Sequence, residues 1–136
     1  MRSSIDYTFS VDAVQNEAPD AGFFTWDIPD NVLYADAALA TLFGIEAAKA
    51  EQGLPLESYL ERVHPEDLPG LAKAIHDSIV AHLPQQESYR VRNSAGQYVR
   101  VASFGKGFRD REGCPIKYVG IVIPSAEVED AEPTAH

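Results

Sequence analysis

Residues Glu87 to Ile123 constrain the fold more tightly than any other stretch, because they hold three alternating runs separated by two turn signals. Tyr89 and Val91 alternate with Arg90 and Arg92, and Asn93-Ser94-Ala95-Gly96 then reverses the chain. Tyr98 to Phe104 alternates again, Asp110-Arg111-Glu112-Gly113 marks a second reversal, and Ile116 to Ile123 is a β-branched run. A period of two sends successive side chains to opposite faces, and Asn, Asp and Gly supply the backbone conformations that tight turns need. The pattern predicts a three-stranded antiparallel meander with one buried face.

Upstream, Pro19-Asp20-Ala21-Gly22 leads into a predicted strand from Phe23 to Ile28, with Phe24, Trp26 and Ile28 on one face. Pro29-Asp30-Asn31 turns the chain, and Val32-Leu33-Tyr34 returns as the second arm of a hairpin. Asp36 is placed to cap a helix over Ala37 to Phe43, which Gly44 stops where a left-handed residue is wanted. A second short helix is predicted around Leu56 to Arg62. The longest runs from Pro65 to about His82, with Pro84 beyond it and Leu68, Leu71, Ile75, Ile79 and His82 as its apolar stripe. Residues 1–18 read as an N-terminal helical extension, with Val11, Val14 and Ala18 at helical spacing and Ser10 as a cap. Residues 19–125 form the folded domain. The tail 126–136 carries Glu127, Glu129, Asp130 and Glu132 with little to bury, and is expected to be disordered and dispensable for folding.

With 136 residues, the chain is one domain with enough buried surface for one core. A net charge of −10 opposes binding to a phosphate backbone, so no nucleic-acid partner is expected. No run approaches the roughly 18 apolar residues of a membrane span, and no signal core follows Met1-Arg2-Ser3-Ser4, so no membrane partner is expected either. The single cysteine, Cys114, suits a reducing cytoplasm.

The ordered set Gly22-x-Phe24-x-Trp26-Asp27-Ile28, Leu42-Phe43-Gly44, Val63-His64-Pro65-Glu66-Asp67, Tyr89-Arg90-Val91 and Arg109-Asp110-x-x-Gly113-x-Pro115 before Val119-Gly120 resembles a PAS domain of the subtype common in bacterial sensor proteins. The likeness covers about Ala21 to Ile123. It implies an α+β fold, a five-stranded antiparallel sheet of order 2-1-5-4-3 with several helices on one face, in a domain that senses ligands or binds partners and has no catalytic residues of its own. In the resemblance, His64-Pro65-Glu66-Asp67 is structural: proline and acids start a helix. Two departures matter. Arg100 stands where the subtype usually has a fourth-strand tryptophan. Pro124-Ser125-Ala126 stands where Asp-Ile-Thr normally leads into a signalling helix, so any signalling is expected to act in trans.

Individual residues add little chemistry. His76 and His82 are six apart on the long helix, not at the i, i+4 spacing of a metal pair, so no metal is expected. His76 lies on the helix that supplies the axial histidine in haem-binding PAS domains, but satisfied surface or helix-end roles are expected for both. The segment Ser58 to Arg62 lacks the cysteine that flavin photochemistry needs, and nothing beside Cys114 depresses a thiol pKa. Neither haem nor flavin is expected, and the purified protein should be colourless. No phosphate loop, Ser-His-Asp set or kinase motif occurs, so the chain is not read as an enzyme.

The last strand is apolar on both sides: Ile116, Tyr118 and Val122 on one, Val119, Ile121 and Ile123 on the other. An antiparallel strand of this kind wants cover on both faces. The expected function is therefore a sensory or interaction module. It would bind a sensor histidine kinase, another PAS domain or a second copy of itself as a homodimer, using Phe9, Val11, Val14, Val119, Ile121 and Ile123. The alternative is a small-molecule sensor with a ligand held among Phe24, Trp26, Tyr34, Ile75, Ile79, Tyr89 and Tyr98.

Overall fold

Alternation, turn chemistry and capping together produce the chain's path in the computed structural model, which describes residues 21–125. The extension at 1–18, with Phe9, Val11 and Val14, and the tail at 126–136 lie outside the described residues. Strands β1 (Gly22–Asp27) and β2 (Val32–Ala35) form the first hairpin. Helices α1 (Ala37–Leu42), α2 (Ala47–Gln52), α3 (Leu56–Leu60) and α4 (Leu68–Ala81) follow, and β3 (Gln85–Arg92), β4 (Tyr98–Arg109) and β5 (Pro115–Pro124) complete the chain. The sheet order is β2-β1-β5-β4-β3, with every neighbouring pair antiparallel, as the resemblance implied.

The two meander turns are built alike. Asn93 Oδ1 accepts from the amides of Ala95 and Gln97, and Asp110 Oδ1 from those of Glu112 and Cys114. In each the side chain replaces a backbone acceptor, which is why Asn and Asp are the residues found there. Pro124 does not break β5. It sits opposite Val101 in the ladder, and the Ser125 amide still donates to the Arg100 carbonyl.

Asp36 caps α1 as expected, accepting from the Leu39 amide at 3.0 Å and also holding the Phe23 amide of β1 at 3.2 Å. Helix α2 was not predicted. Its six residues, AAKAEQ, have no apolar stripe, and its one buried side chain is Ala50. The first hairpin is tied to α3 through Asn31, whose Oδ1 accepts from Trp26 Nε1 and from the Leu56 amide while Nδ2 donates to Glu57.

The long helix starts at Leu68, three residues later than Pro65 suggested, and Pro69 occupies its first turn. Asp67 stands at its N-cap position but does not cap it. Its carboxylate is turned away from the helix toward β3, where it accepts from the Arg90 amide, Nε and Nη2 at 2.8–2.9 Å. These bonds blunt the β3 edge by occupying an amide that would otherwise be open to a stray strand. His82, expected on the apolar stripe, is instead exposed at the left-handed end of α4 (φ 62). Arg109 closes that end, donating from Nη2 to the carbonyls of Ile79 and Val80.

The Arg90 hydrogen bonds hold the Asp67 carboxyl below the usual aspartate range. A carboxylate whose folded value is depressed stabilises fully above its unfolded value and loses that contribution as pH falls through the folded one. Stability should therefore decline between about pH 5 and pH 2. Urea midpoints across that window should show a smaller decline in Asp67→Asn than in the wild type.

Candidate functional site

Strand parity divides the sheet into two surfaces of different character. The inner parity carries Phe24 and Trp26 on β1, Leu33 and Ala35 on β2, Tyr118 and Val122 on β5, Val101 and Ser103 on β4, and Tyr89 and Val91 on β3. Against these pack Leu39 and Phe43 from α1 and its end, Tyr59 and Leu60 from α3, and Leu71 and Ile75 from α4. Between helices and sheet remains a cavity of about 50 Å3, measured to the centre of a water-sized sphere. A single water needs ~10–15 Å3 on that measure, so the space admits a few waters or a molecule of a handful of heavy atoms.

The sheet side of the cavity has a polar cluster. Tyr118 donates to Gln85 Oε1 at 3.0 Å, and Gln85 Nε2 donates to Ser103 Oγ at 2.8 Å. Burial pushes the phenols of Tyr59, Tyr89 and Tyr118 up to about 12, so each stays protonated at neutral pH and has a hydrogen to donate. Tyr118 can lie flat across β4 because Gly105 stands beneath it: a Cβ there would come within 2.5 Å of its ring. Gly105→Ala should therefore displace Tyr118 at a cost of about 1–3 kcal/mol, read as a lowered urea midpoint.

On the helix side the Tyr59 ring meets Phe43 edge-on at 5.7 Å, and the residue is 3% exposed. Its hydroxyl is buried with no hydrogen-bond partner among the described residues. Leaving such a donor unsatisfied costs about 1–3 kcal/mol.

Of the residues expected to line a ligand cavity, Phe24, Trp26, Ile75 and Tyr89 do so, whereas Tyr34, Ile79 and Tyr98 do not. Tyr34 pairs with Thr25, one residue out of step with the inner pair Trp26 and Leu33, so its ring faces outward and is 46% exposed. Ile79 lies a turn beyond the cavity, against Gly107. Tyr98 begins β4 opposite Arg92 and lays its ring 4.7 Å from that of His64. Gln85, Ser103 and Tyr59 were missed. For the first two the available signal was a polar residue at an inner-parity position of a strand. Tyr59 offered none beyond its place in a short helix.

The outer parity is unusually apolar. Phe23 on β1 sits opposite Ile121 on β5, which sits opposite Phe104 on β4. The adjacent row runs from Tyr34 through Thr25 and Val119 to Lys106. Phe23 is 57% exposed and Phe108 45%, with Phe104 exposed as well, and Val119, Ile121 and Ile123 are half-buried. Arg100 stands on this face opposite Arg90.

His76 and His82 are both exposed, and Cys114 is exposed in its turn. Among the described residues no three His, Cys, Asp or Glu side chains converge on a possible metal site, and no helix is long and apolar enough to cross a membrane.

A family model described as PAS fold matches residues 32–122. A sensory box histidine kinase/response regulator from Burkholderia thailandensis has a similar structure, with a TM-score of 0.75 at 20% identity over 93% of this chain and 91% of that one. The N-terminal domain of a diguanylate cyclase with PAS/PAC sensor from Marinobacter aquaeolei gives 0.70 at 18% identity, covering 81% and 99% respectively. Drosophila melanogaster Cycle PAS-B with bound ethylene glycol gives 0.59 at 17% identity, covering 76% and 97%. At these identities the likeness is one of fold. No match was found among curated protein sequences.

Proposed function

The chain belongs to the PAS-fold family, and from that membership we propose that it associates through the outer face of its sheet with another PAS-type domain, in the first instance a second copy of itself. The family is a sensory and interaction class, generically without catalysis of its own. The observation that carries the reading is the row Phe23–Ile121–Phe104, apolar across three adjacent strands on the side away from the described helices. Exposed contiguous apolar surface of this kind marks interaction sites, and aromatic residues are enriched in the cores of such interfaces. The histidine kinase and diguanylate cyclase relatives make the PAS region of a sensor kinase the next partner to examine. Placing a photo-reactive phenylalanine analogue at position 23 tests the surface. The expected product is an adduct between two polypeptides, and crosslinks confined to the chain's own residues 1–20 would sink the reading.

A second reading, small-molecule sensing, is favoured by the cavity between helices and sheet, with its polar wall at Gln85, Ser103 and Tyr118. The Cycle PAS-B domain is described with ethylene glycol bound. Strand β5 serves both readings: Tyr118 and Val122 face the cavity, and Val119 and Ile121 face outward.

A further inference from the structure

We propose that the cavity takes a small uncharged molecule bearing a carbonyl or hydroxyl oxygen on a short apolar body, and that the Tyr59 phenol binds that oxygen. The proposal rests on the small-molecule reading of the cavity. Among the polar groups of the cavity wall, Gln85, Ser103 and Tyr118 satisfy one another, the Tyr89 phenol is hydrogen-bonded with Ser103, and Trp26 Nε1 is held by Asn31. Tyr59 differs from them: it lines the cavity, is 3% exposed, and its hydroxyl has no partner among the described residues. A protonated buried phenol lacks an acceptor, so the missing group is an oxygen lone pair. Among the described residues no charged side chain lines the cavity, so an ion entering it would lose its hydration with no counter-charge to replace it. The remaining wall is aliphatic and aromatic, which suits a short apolar body. The space of about 50 Å3 limits the molecule to a few heavy atoms.

The test is amide NMR titration of the full chain and of Tyr59→Phe with two probes, acetone and xenon. Acetone supplies an acceptor oxygen, whereas xenon fills apolar space without hydrogen bonding. Acetone should shift the wild-type signals of Tyr59, Ile75 and Tyr89 saturably, with a Kd on the order of millimolar. Tyr59→Phe should weaken acetone about tenfold and leave xenon unchanged. Xenon binding without acetone binding, or acetone binding both proteins alike, overturns the acceptor assignment while leaving the cavity reading in place. Binding of neither probe to the wild type removes the cavity reading itself. Thermal melts supply a second readout. Without ligand, Tyr59→Phe should melt at or above the wild-type temperature because it deletes an unsatisfied donor. A lower melting temperature would mean that the hydroxyl already has a structural partner, and the assignment would fall.

Discussion

Arg62→Ala should destabilise the domain by roughly 3–4 kcal/mol, the largest single-residue effect expected away from the apolar core. The Arg62 guanidinium joins three segments distant in sequence. Its Nε donates to the Phe43 carbonyl at 2.9 Å, and its Nη2 donates to the carbonyls of Arg92 and Asn93 at 3.0 and 3.1 Å. Phe43 is the C-cap of α1, where carbonyls have run out of helical partners, and Arg92 ends β3. Hydrogen bonds from a charged donor are worth about 1.5–3 kcal/mol each, but bonds sharing one side chain do not add fully. The chain makes room for this group: Gly44, at φ 66, lies so near that a Cβ would fall 2.5 Å from Arg62 Nη2. Arg62→Lys should recover less than half of the loss, because an ammonium cannot span three acceptors in the fixed planar geometry of a guanidinium. Urea denaturation of the three proteins measures this, and a change under 0.5 kcal/mol for the alanine variant would contradict it.

The parts of this fold that were legible in the sequence are those decided by neighbouring residues. The meander turns could be placed because Asn93 and Asp110 act on amides two to four residues away. The end of α1 could be placed because Gly44 takes a conformation that side chains resist. What escaped notice depends on distant partners. Arg90, 23 residues from Asp67, draws the carboxylate at the N-cap position of α4 to β3, so that end of the helix has no side-chain cap. Helix α2 is held by burial of Ala50, a residue too small to mark a face in the sequence. Tyr34 reads as an inward aromatic until the register Thr25–Tyr34 sets its parity. The cavity was half legible for the same reason. Aromatic and aliphatic residues at predictable parity, such as Phe24, Trp26 and Ile75, could be named, whereas the polar triad needed the three-dimensional pairing of β3, β4 and β5.

The second large effect concerns association. Ile121 is the middle residue of the outer row, flanked directly by Phe23 and Phe104 on the neighbouring strands. Its side chain points away from the cavity, so changing it leaves the inner face of β5, with the buried Tyr118 and Val122, in place. An isolated glutamate can stay hydrated on an exposed sheet face, but at a closed interface it would be buried beside two phenylalanines with no counter-charge. That costs several kcal/mol, enough to change a Kd by a factor of a hundred or more. Ile121→Glu should therefore lose self-association yet still unfold cooperatively, its melting temperature lowered by the lost dimer stabilisation and no longer dependent on protein concentration. Light scattering on the purified full chain decides the matter: a mass near twice 14.9 kDa for the wild type and near one chain for Ile121→Glu is the predicted result, and equal masses for the two proteins, whether both monomeric or both dimeric, would contradict it.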